Sequence, residues 1–395
     1  MNMPSISISR KKLLPWAASF GPAWLVMVAD VDAASIITAA ETGAVFHYGL
    51  IWLLLLLTVP LFFIQEASGR IGTVTHKGLG EIIHENYSRN IALIVSVPMA
   101  VTDVLTYVAE YVGIAIGMEI IGISPIITVP CAYALHVAIV YRRKYQVVEK
   151  LMLGLSAVLL LSYVASLLIR GTLNYSPFYF STTPSFLFLV AANAGAVVMP
   201  FMPFYQASAT AEKNTGNVRS CRVETLVGAL VSEALMIVIM MVSTDLDSGI
   251  AFVSAKQLSL NLASVAGPYA PWLFGIGLVA AAFLALVVVS LGSAWGLVES
   301  VGWRRSRAFS VYFVESIPAV IIALFLSTNL LAGVLNLMLA FVFVLIGPAV
   351  TMGLIASNTR IMGKYTSKGS WKVAYWLSLF FIVSLGVISV ITYFV

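Results

Sequence analysis

The sequence predicts an all-α integral membrane protein with eleven transmembrane helices, of which the first and sixth are broken near their middle. Hydrophobic residues make up 60% of the 395 residues and charged residues only 10%, whereas a soluble domain carries nearer ~25% charged residues. The hydrophobic residues gather in many runs of about 20, the length that a helix needs to cross a bilayer. Runs of this length indicate helices rather than a barrel.

The predicted spans follow one another along the whole chain. They cover residues 15–43, 47–67, 91–118, 124–141, 149–170, 186–210, 222–243, 270–298, 309–327, 331–356 and 371–394. A short surface helix is expected in loop 68–90, and loop 244–269 is expected to be partly helical. Basic residues precede the first span as in a signal peptide, but no clear cleavage site follows, so this span is expected to be retained.

Basic residues fall almost entirely on one side of these spans. Of the 22 lysines and arginines, 20 lie on that side, and Arg170 and Lys256 lie on the other. The positive-inside rule then predicts a cell-membrane protein with a cytoplasmic N-terminus and an extracellular C-terminus. The same distribution accounts for the net charge of +5, so the lipid bilayer is an expected partner and nucleic acid is not.

The first span carries two acidic residues, Asp30 and Asp32, at its middle. A carboxylate at mid-membrane depth costs at least ~2.5–3.5 kcal/mol on insertion scales. Residues two apart point about 200° away from each other on a helix, so both can face one centre only if the helix is unwound. Secondary transporters bind cations at such breaks, and the pair therefore predicts a transported cation. A structural break with capping aspartates is the alternative.

The sixth span contains a second predicted break near residues 199–203. Pro200 and Pro203 each remove a backbone donor and clash with the preceding turn, although a simple proline kink is the alternative. Because the broken spans lie five spans apart, the second unit would be inserted upside down relative to the first. This predicts a single transport domain over residues 1–395, with inverted repeats at about 15–170 and 186–356 and an extra helix at 371–394.

Several segments share one resemblance. They are GPAWLVMVADVDAAS, HYGLIWLLLLL and GRIGTVT in the first two spans, AEYVGIAIGMEIIG in the third and GAVVMP in the sixth. Together they resemble the NRAMP family of divalent-metal transporters, over most of the chain. The resemblance implies a LeuT-type fold and the import of divalent metals, usually Mn²⁺ or Fe²⁺ and often with protons.

The resemblance also implies a metal site at the two breaks. Asp32 matches the metal-binding aspartate of the motif Asp-Pro-Gly-Asn, and Ser35 stands where this motif has asparagine. Ala196 matches the residue whose main-chain carbonyl faces the ion, and Met199 matches the thioether ligand of the motif Met-Pro-His-Asn. Asp30, which the typical pattern lacks, adds a further acid to the predicted site.

The chain departs from the family pattern at two more points. Phe201 stands where the family has a histidine implicated in proton movement, and phenylalanine cannot titrate. Leu345, Ile346 and Gly347 stand where the family often has a glutamine before Pro348. An Asp-x-Asp pattern in the first span is associated with a Mg²⁺-transporting branch.

Ligand chemistry leaves two metal classes open. Carboxylate, hydroxyl and carbonyl oxygens suit both Mg²⁺ and Mn²⁺, whereas a thioether favours transition metals. We therefore predict a divalent metal transporter that favours Mn²⁺ or Fe²⁺. The alternative is a Mg²⁺ transporter without proton coupling, in which Met199 only packs.

Proton coupling is left open by the sequence. Glu110 and Asp103 lie two turns apart on one face of the third span and are candidate proton-pathway residues. Hydrogen bonding to neighbouring spans explains them equally well, and Phe201 favours uncoupled transport.

Two other classes of function are less favoured. A Na⁺-coupled amino-acid symporter shares the fold, but an acidic break would repel the carboxylate of its substrate. A membrane enzyme is disfavoured because the sequence holds no Walker loop, Rossmann fingerprint, HExxH or GxSxG. We expect neither enzymatic activity nor a bound cofactor, and the metal ion is expected as the substrate.

Overall fold

The computed structural model describes residues 21–142, 145–213, 217–252, 254–325 and 330–394, and the regular elements in these ranges are all helical. The helices of the first half are α1 (Pro22–Ala29), α2 (Ala33–Phe46), α3 (Ile51–Thr75), α4 (Leu79–Asn86), α5 (Arg89–Ile120), α6 (Pro125–Arg142) and α7 (Tyr145–Arg170). Those of the second half are α8 (Pro184–Val197), α9 (Phe201–Lys213), α10 (Val218–Val242), α11 (Ser248–Ala251), α12 (Ala255–Ala266), α13 (Ala270–Ser300), α14 (Ala308–Phe325), α15 (Leu330–Val344), α16 (Ile346–Ala356), α17 (Thr359–Met362) and α18 (Gly369–Phe394).

The apolar helices follow the order of the predicted spans. Within the described ranges, nine helices are long and apolar enough to cross a membrane, and the bent pair α1–α2 forms a tenth span. A shorter apolar helix, Pro125–Tyr141, occupies the predicted fourth span. All eleven predicted positions are therefore helical, while the exact number of spans and the inverted repeats stay predictions. Residues 15–20 of the first span, and the basic residues Arg10, Lys11, Lys12, Arg143 and Lys144, lie outside the described residues.

The second span is longer than the sequence predicts. Helix α3 continues to Thr75, beyond the predicted end at residue 67. Its last turns pack closely on α9, where a Cβ on Gly72 would collide with the carbonyl of Ala207. Arg70, placed in a loop by the sequence, is consequently a buried residue of a helix. The helices expected in the two long loops are confirmed as α4 and as α11 with α12.

Helix α13 lies at the centre of the bundle. It packs against α5, α7, α9, α4 and α14, and its middle, from Ala280 to Ser290, is buried. The sequence AAAFLALVVVS is apolar around the whole helix, as expected for a helix surrounded by others. Helices α1, α2, α8 and α9 lie within the same bundle, and residues 21–43 and 189–209 are buried throughout. Both broken spans are therefore enclosed by protein.

Candidate metal site between two broken helices

The first span is broken at Asp30–Asp32, where α1 and α2 meet at 48°. At the end of α1 the N–H of Asp30 bonds to the carbonyl of Val26 at 3.1 Å, and the N–H of Val31 bonds to the carbonyl of Val28 at 3.3 Å. The side chain of Asp32 then caps α2, because its Oδ1 accepts the N–H of Ser35 over 2.7 Å. Aspartate is a preferred N-cap residue, so the sequence itself sets the start of the second half-helix.

Capping uses only one carboxylate oxygen of Asp32. The residue is fully buried, and its Oδ2 has no hydrogen-bond partner among the described residues. A buried carboxylate oxygen without a donor is unfavourable. Asp32 can therefore cap α2 through Oδ1 while Oδ2 remains available to an ion, so the two interpretations of this break are compatible.

The sixth span is broken at residues 198–200, between α8 and α9. Pro200 has no N–H, so the carbonyl of Ala196, four residues earlier, lacks its helical donor. Pro203 lies in the first turn of α9, where an N–H would have no helical partner in any case. The two prolines therefore free a carbonyl at the end of one helix and allow the next to begin.

The two breaks meet at Ser35 and Ala196. The Ser35 hydroxyl donates to the freed carbonyl oxygen of Ala196 over 3.4 Å, across 161 residues of sequence. Both residues are buried. Together with Asp32, they bring a carboxylate, a hydroxyl and a carbonyl oxygen into one enclosed region, as the resemblance implied.

Met199 lies in the second break itself and is fully buried. Its N–H points to the sulfur of Met202 at 3.2 Å. Two thioethers therefore lie at this break, whereas the sequence analysis singled out Met199 alone.

Glu110 reaches this region from α5. Its Oε2 accepts the N–H of Ala33, the first residue of α2, over 3.1 Å, and its carboxyl group faces that of Asp32. The helices approach closely because α5 carries Gly113, where a Cβ would collide with the side chain of Ala33. The sequence proposed Glu110 only for a proton pathway, and the structure places it directly beside the first break.

Asp30 is held by a different helix. Its Oδ2 accepts from the hydroxyl of Ser232 on α10 over 3.3 Å, and the buried Glu233 faces it. The remaining oxygens of Asp30 and Glu233 have no hydrogen-bond partner in the described part of the chain. The structure thus holds Asp30 against α10 and Asp32 against α2 and α5, and a joint role of the two acids stays a prediction.

Asp103 is buried on α5, two turns from Glu110, and no hydrogen bond between the two carboxyl groups is found in the described structure. Its neighbours are Glu315 of α14 and Ser293 of α13. Glu315 accepts from the hydroxyls of Tyr107 and Ser293, each at 3.3 Å. The sequence analysis missed Glu315, although an isolated acid inside the apolar segment YFVESIPAV was the available signal.

His136 is a second residue that the sequence analysis left without a role. It is buried on α6, its Nδ1 lies 2.9 Å from the hydroxyl of Tyr111, and its Nε2 lies 3.2 Å from that of Ser290. Because Ser290 donates to a carbonyl of its own helix, its hydroxyl oxygen is left to accept from Nε2. Ser290 also lines a cavity of about 240 Å³ whose rim includes Glu212 and Arg305.

Ion pairs link the helices on the side that carries the basic residues. Glu66 accepts from Arg70 of its own helix and from Arg222 of α10, both at distances near 3 Å. Glu224 of α10 accepts the N–H of Gly21 at 2.5 Å and thereby caps α1. These contacts join α1 and α3 to α10.

Comparison with known proteins agrees with this architecture. The family model described as "Natural resistance-associated macrophage protein-like" matches residues 23–392. The chain belongs to this NRAMP family. It is 24% identical to the divalent metal cation transporter MntH of Bacillus subtilis (strain 168), over 97% of this chain and 93% of that protein. It is 26% identical to MntH of Caldanaerobacter subterraneus subsp. tengcongensis, over 70% of each chain.

Solved structures show the same fold. A crystal structure of the Eremococcus coleocola manganese transporter, in complex with an aromatic bis-isothiourea substituted compound, has a TM-score of 0.76 at 18% identity and covers 98% of this chain and 91% of that one. MhsT in complex with L-phenylalanine has a TM-score of 0.63 at 15% identity, covering 94% and 98%. The LeuT-type fold implied for this NRAMP chain is thereby confirmed.

One departure of this NRAMP chain is explained by packing. Phe201, at the position of the family histidine, is fully buried at the start of α9. Gly292 of α13 faces it so closely that a Cβ there would lie 3.0 Å from the Phe201 carbonyl oxygen. The aromatic ring fills space between α9 and α13 and offers no titratable group at the second break.

Proposed function

We propose that this protein transports divalent metal cations across the cell membrane by alternating access, with Mn²⁺ and Fe²⁺ as the favoured class. The observation that carries the proposal is the Ser35–Ala196 hydrogen bond beside the unpartnered Oδ2 of Asp32. Oxygen ligands from two broken helices in a buried, acidic region attract a cation and repel an anion. The relatives named as divalent metal cation transporters support this choice of substrate.

The charge of the site supports a positively charged substrate. Asp32 and Glu110 place two carboxyl groups in one buried region. Arg70 is buried and pairs with Glu66, and Arg170, whose side chain is 3% exposed, pairs with Asp245. Among the described residues, no ion pair of a lysine or arginine with Asp32 or Glu110 is found. Burying an unpaired carboxylate is unfavourable, so a cation or a proton has to balance Asp32.

The sulfur atoms favour a transition metal. Met199 and Met202 both lie at the second break, and thioethers favour later transition metals over Mg²⁺. We assign Asp32, Ser35, the Ala196 carbonyl and Met199 as the ligands. Mg²⁺ is the second candidate because Glu110 adds a second hard carboxylate beside this set.

We further propose that Glu110 takes part in any proton transfer. It contacts the first break directly, so it can receive a proton that Asp32 releases on binding metal. As an onward route we propose Tyr111, the next residue of α5, which hydrogen-bonds His136, and His136 in turn contacts Ser290 at the cavity. Asp103 of α5 with Glu315 of α14 forms the alternative acidic pair.

The membrane orientation is also part of the proposal. Apart from Arg170 and Lys256, the basic residues of the described part of the chain fall at the side at which α3 ends and α10 and α14 begin, which supports a cytoplasmic N-terminus and an extracellular C-terminus. Labelling of Ser176→Cys and Lys364→Cys variants, made without the native cysteines, tests it. A membrane-impermeant maleimide should label residue 176 in intact cells and residue 364 only after lysis. The reverse pattern would contradict this orientation.

Metal binding to the purified protein tests the proposed site. Titration calorimetry should detect Mn²⁺ binding by the wild type and by the Glu119→Gln control, whose acid is exposed at the end of α5. Mutation of a residue that only hydrogen-bonds to a metal ligand typically lowers metal affinity by about 10–100-fold. Because Asp32 is proposed as a ligand itself, we expect Asp32→Asn to lower the affinity by more than this. Equal affinity in the three proteins would remove Asp32 from the site.

A further inference from the structure

A groove on the outer surface of the bundle lies apart from the metal site. It has a volume of about 640 Å³ and runs between α5, α13 and α14. Its walls are mostly apolar, with Val97, Val101 and Val104 on one side and Val311 and Val314 on the other. Val101 is 60% exposed and Val314 71% exposed. In a membrane-spanning bundle, side chains of this kind face lipid.

The mouth of the groove is basic and aromatic. Trp303 and Arg307 lie there, and the guanidinium of Arg307 stands 5.5 Å from the ring centroid of Trp303. The neighbouring Arg305 is paired with Glu299, whereas no ion pair of Arg307 is found among the described residues. Tryptophan is enriched at the level of lipid headgroups. The positive charge of Arg307 is therefore available to bind an anion at the membrane surface.

We propose that the groove binds an anionic phospholipid, with the phosphate on Arg307 and one acyl chain along the valines. From Arg307, the residue before α14, to Val314 within it, the chain rises roughly 10 Å at about 1.5 Å per residue. A leaflet of the hydrocarbon core is about 15 Å thick. The groove therefore accommodates most of the depth of a chain in one leaflet. A positive mouth and an apolar trough match a lipid, whereas free phosphate would leave the trough empty.

The lipid site also includes a carboxyl group that is buried in the bundle. Glu315 is one of the residues that line the groove, and its carboxyl group accepts hydrogen bonds from Tyr107 and Ser293. An acyl chain in the groove covers this carboxyl group on the bilayer side. We infer that the bound lipid stabilises the contact between α5 and α14.

Thermal unfolding of the purified full-length protein in neutral detergent tests the proposal. Phosphatidylglycerol should raise the unfolding temperature by several degrees, and phosphatidylcholine or inorganic phosphate should raise it by less than half as much. Arg307→Gln should lose most of the phosphatidylglycerol shift, while Arg360→Gln, an exposed arginine on α17, should keep it. Val101→Phe, which fills the groove and leaves the charge in place, should lose the shift as well.

Three results would overturn the lipid site. They are an equal shift in the wild type and Arg307→Gln, an equal shift with phosphatidylcholine, and reproduction of the shift by phosphate alone. Native mass spectrometry adds a direct readout, since the wild type should retain phosphatidylglycerol that Arg307→Gln and Val101→Phe lose. None of these measurements depends on metal transport, so the lipid site and the proposed function can fail separately.

Discussion

The hydroxyl of Ser35 donates to the main-chain carbonyl of Ala196 over 3.4 Å, and this bond joins the two broken helices. The position of each of these two residues follows from the break in its own span. Ser35 lies in the turn that Asp32 caps, and Ala196 has lost its helical donor because Pro200 carries no N–H. A cation entering here would exchange this weak bond for coordination by both oxygens.

Met199 provides a test of metal selectivity. Met199→Leu keeps the volume and removes the sulfur, and such swaps usually cost less than about 1.5 kcal/mol of stability. If the thioether binds the ion, this variant should shift the ranking of transported ions toward Mg²⁺. Competition uptake with Mn²⁺ and Mg²⁺ measures the ranking. Met27→Leu, a buried methionine of α1, is the control, and identical rankings in both variants would make Met199 a packing residue.

Variants of Glu110 test whether metal transport can be separated from proton movement. In Glu110→Gln, the amide oxygen can still accept the N–H of Ala33, so the break keeps its geometry, but the side chain no longer exchanges a proton. We expect Mn²⁺ uptake to persist and the accompanying acidification of the vesicle lumen to fall. Glu110→Ala should lose uptake too, because the Ala33 N–H loses its acceptor. Unchanged acidification in Glu110→Gln would exclude this residue from the proton route.

Gly113 tests the close contact between α5 and α2. A methyl group there would collide with the side chain of Ala33, and overpacking of this kind costs typically ~1–3 kcal/mol. Gly113→Ala should therefore lower both the unfolding temperature and the uptake rate. In Gly154→Ala the added methyl group meets open space, so this control should lose neither. Equal unfolding temperatures of the two variants would show that α2 can move away from α5 without loss of stability, and would contradict a tight contact between them.

Glu66 tests the ion pairs on the basic side. Both members of the Glu66–Arg70 pair are buried, and removing one partner of a buried pair costs about 3–5 kcal/mol. Glu66→Gln should thus lower the unfolding temperature substantially, because Arg70 stays buried with its charge. The exposed pair of Glu85 with Lys77 provides the control, and Glu85→Gln should change little. Similar unfolding temperatures for the two variants would count against the pairing.

Much of the membrane architecture is readable in the sequence because bilayer crossing demands long apolar runs. Both breaks are readable too, since Asp30 and Asp32 are unfavourable in an intact apolar helix and Pro200 cannot continue one. The end of α3 was mispredicted because polar residues such as Arg70 suggest a loop. Burial of Arg70 depends on partners distant in sequence, including Tyr365 and Ser367.

The sequence predicted which residues belong to the site, but it did not predict which neighbours those residues contact. The resemblance placed Asp32, Ser35 and Ala196 in one site. The structure brings these residues together, and metal binding by them stays a prediction. The position of Asp30 against Ser232 could not be derived, because the direction of a side chain in an unwound segment follows no helical period. The roles of His136 and Glu315 depend on neighbours from other helices, and single residues in apolar spans do not reveal those neighbours.

Metal flux in proteoliposomes tests the central claim most directly. Vesicles holding the purified protein and a pH-sensitive dye would be exposed to Mn²⁺, Mg²⁺ or Ca²⁺, with Asp32→Asn vesicles in parallel. We predict entry of Mn²⁺, exclusion of Ca²⁺ and loss of uptake in Asp32→Asn. Entry of Mg²⁺ in preference to Mn²⁺, without acidification, would contradict the assigned metal class. Normal Mn²⁺ flux through Asp32→Asn would contradict the site itself.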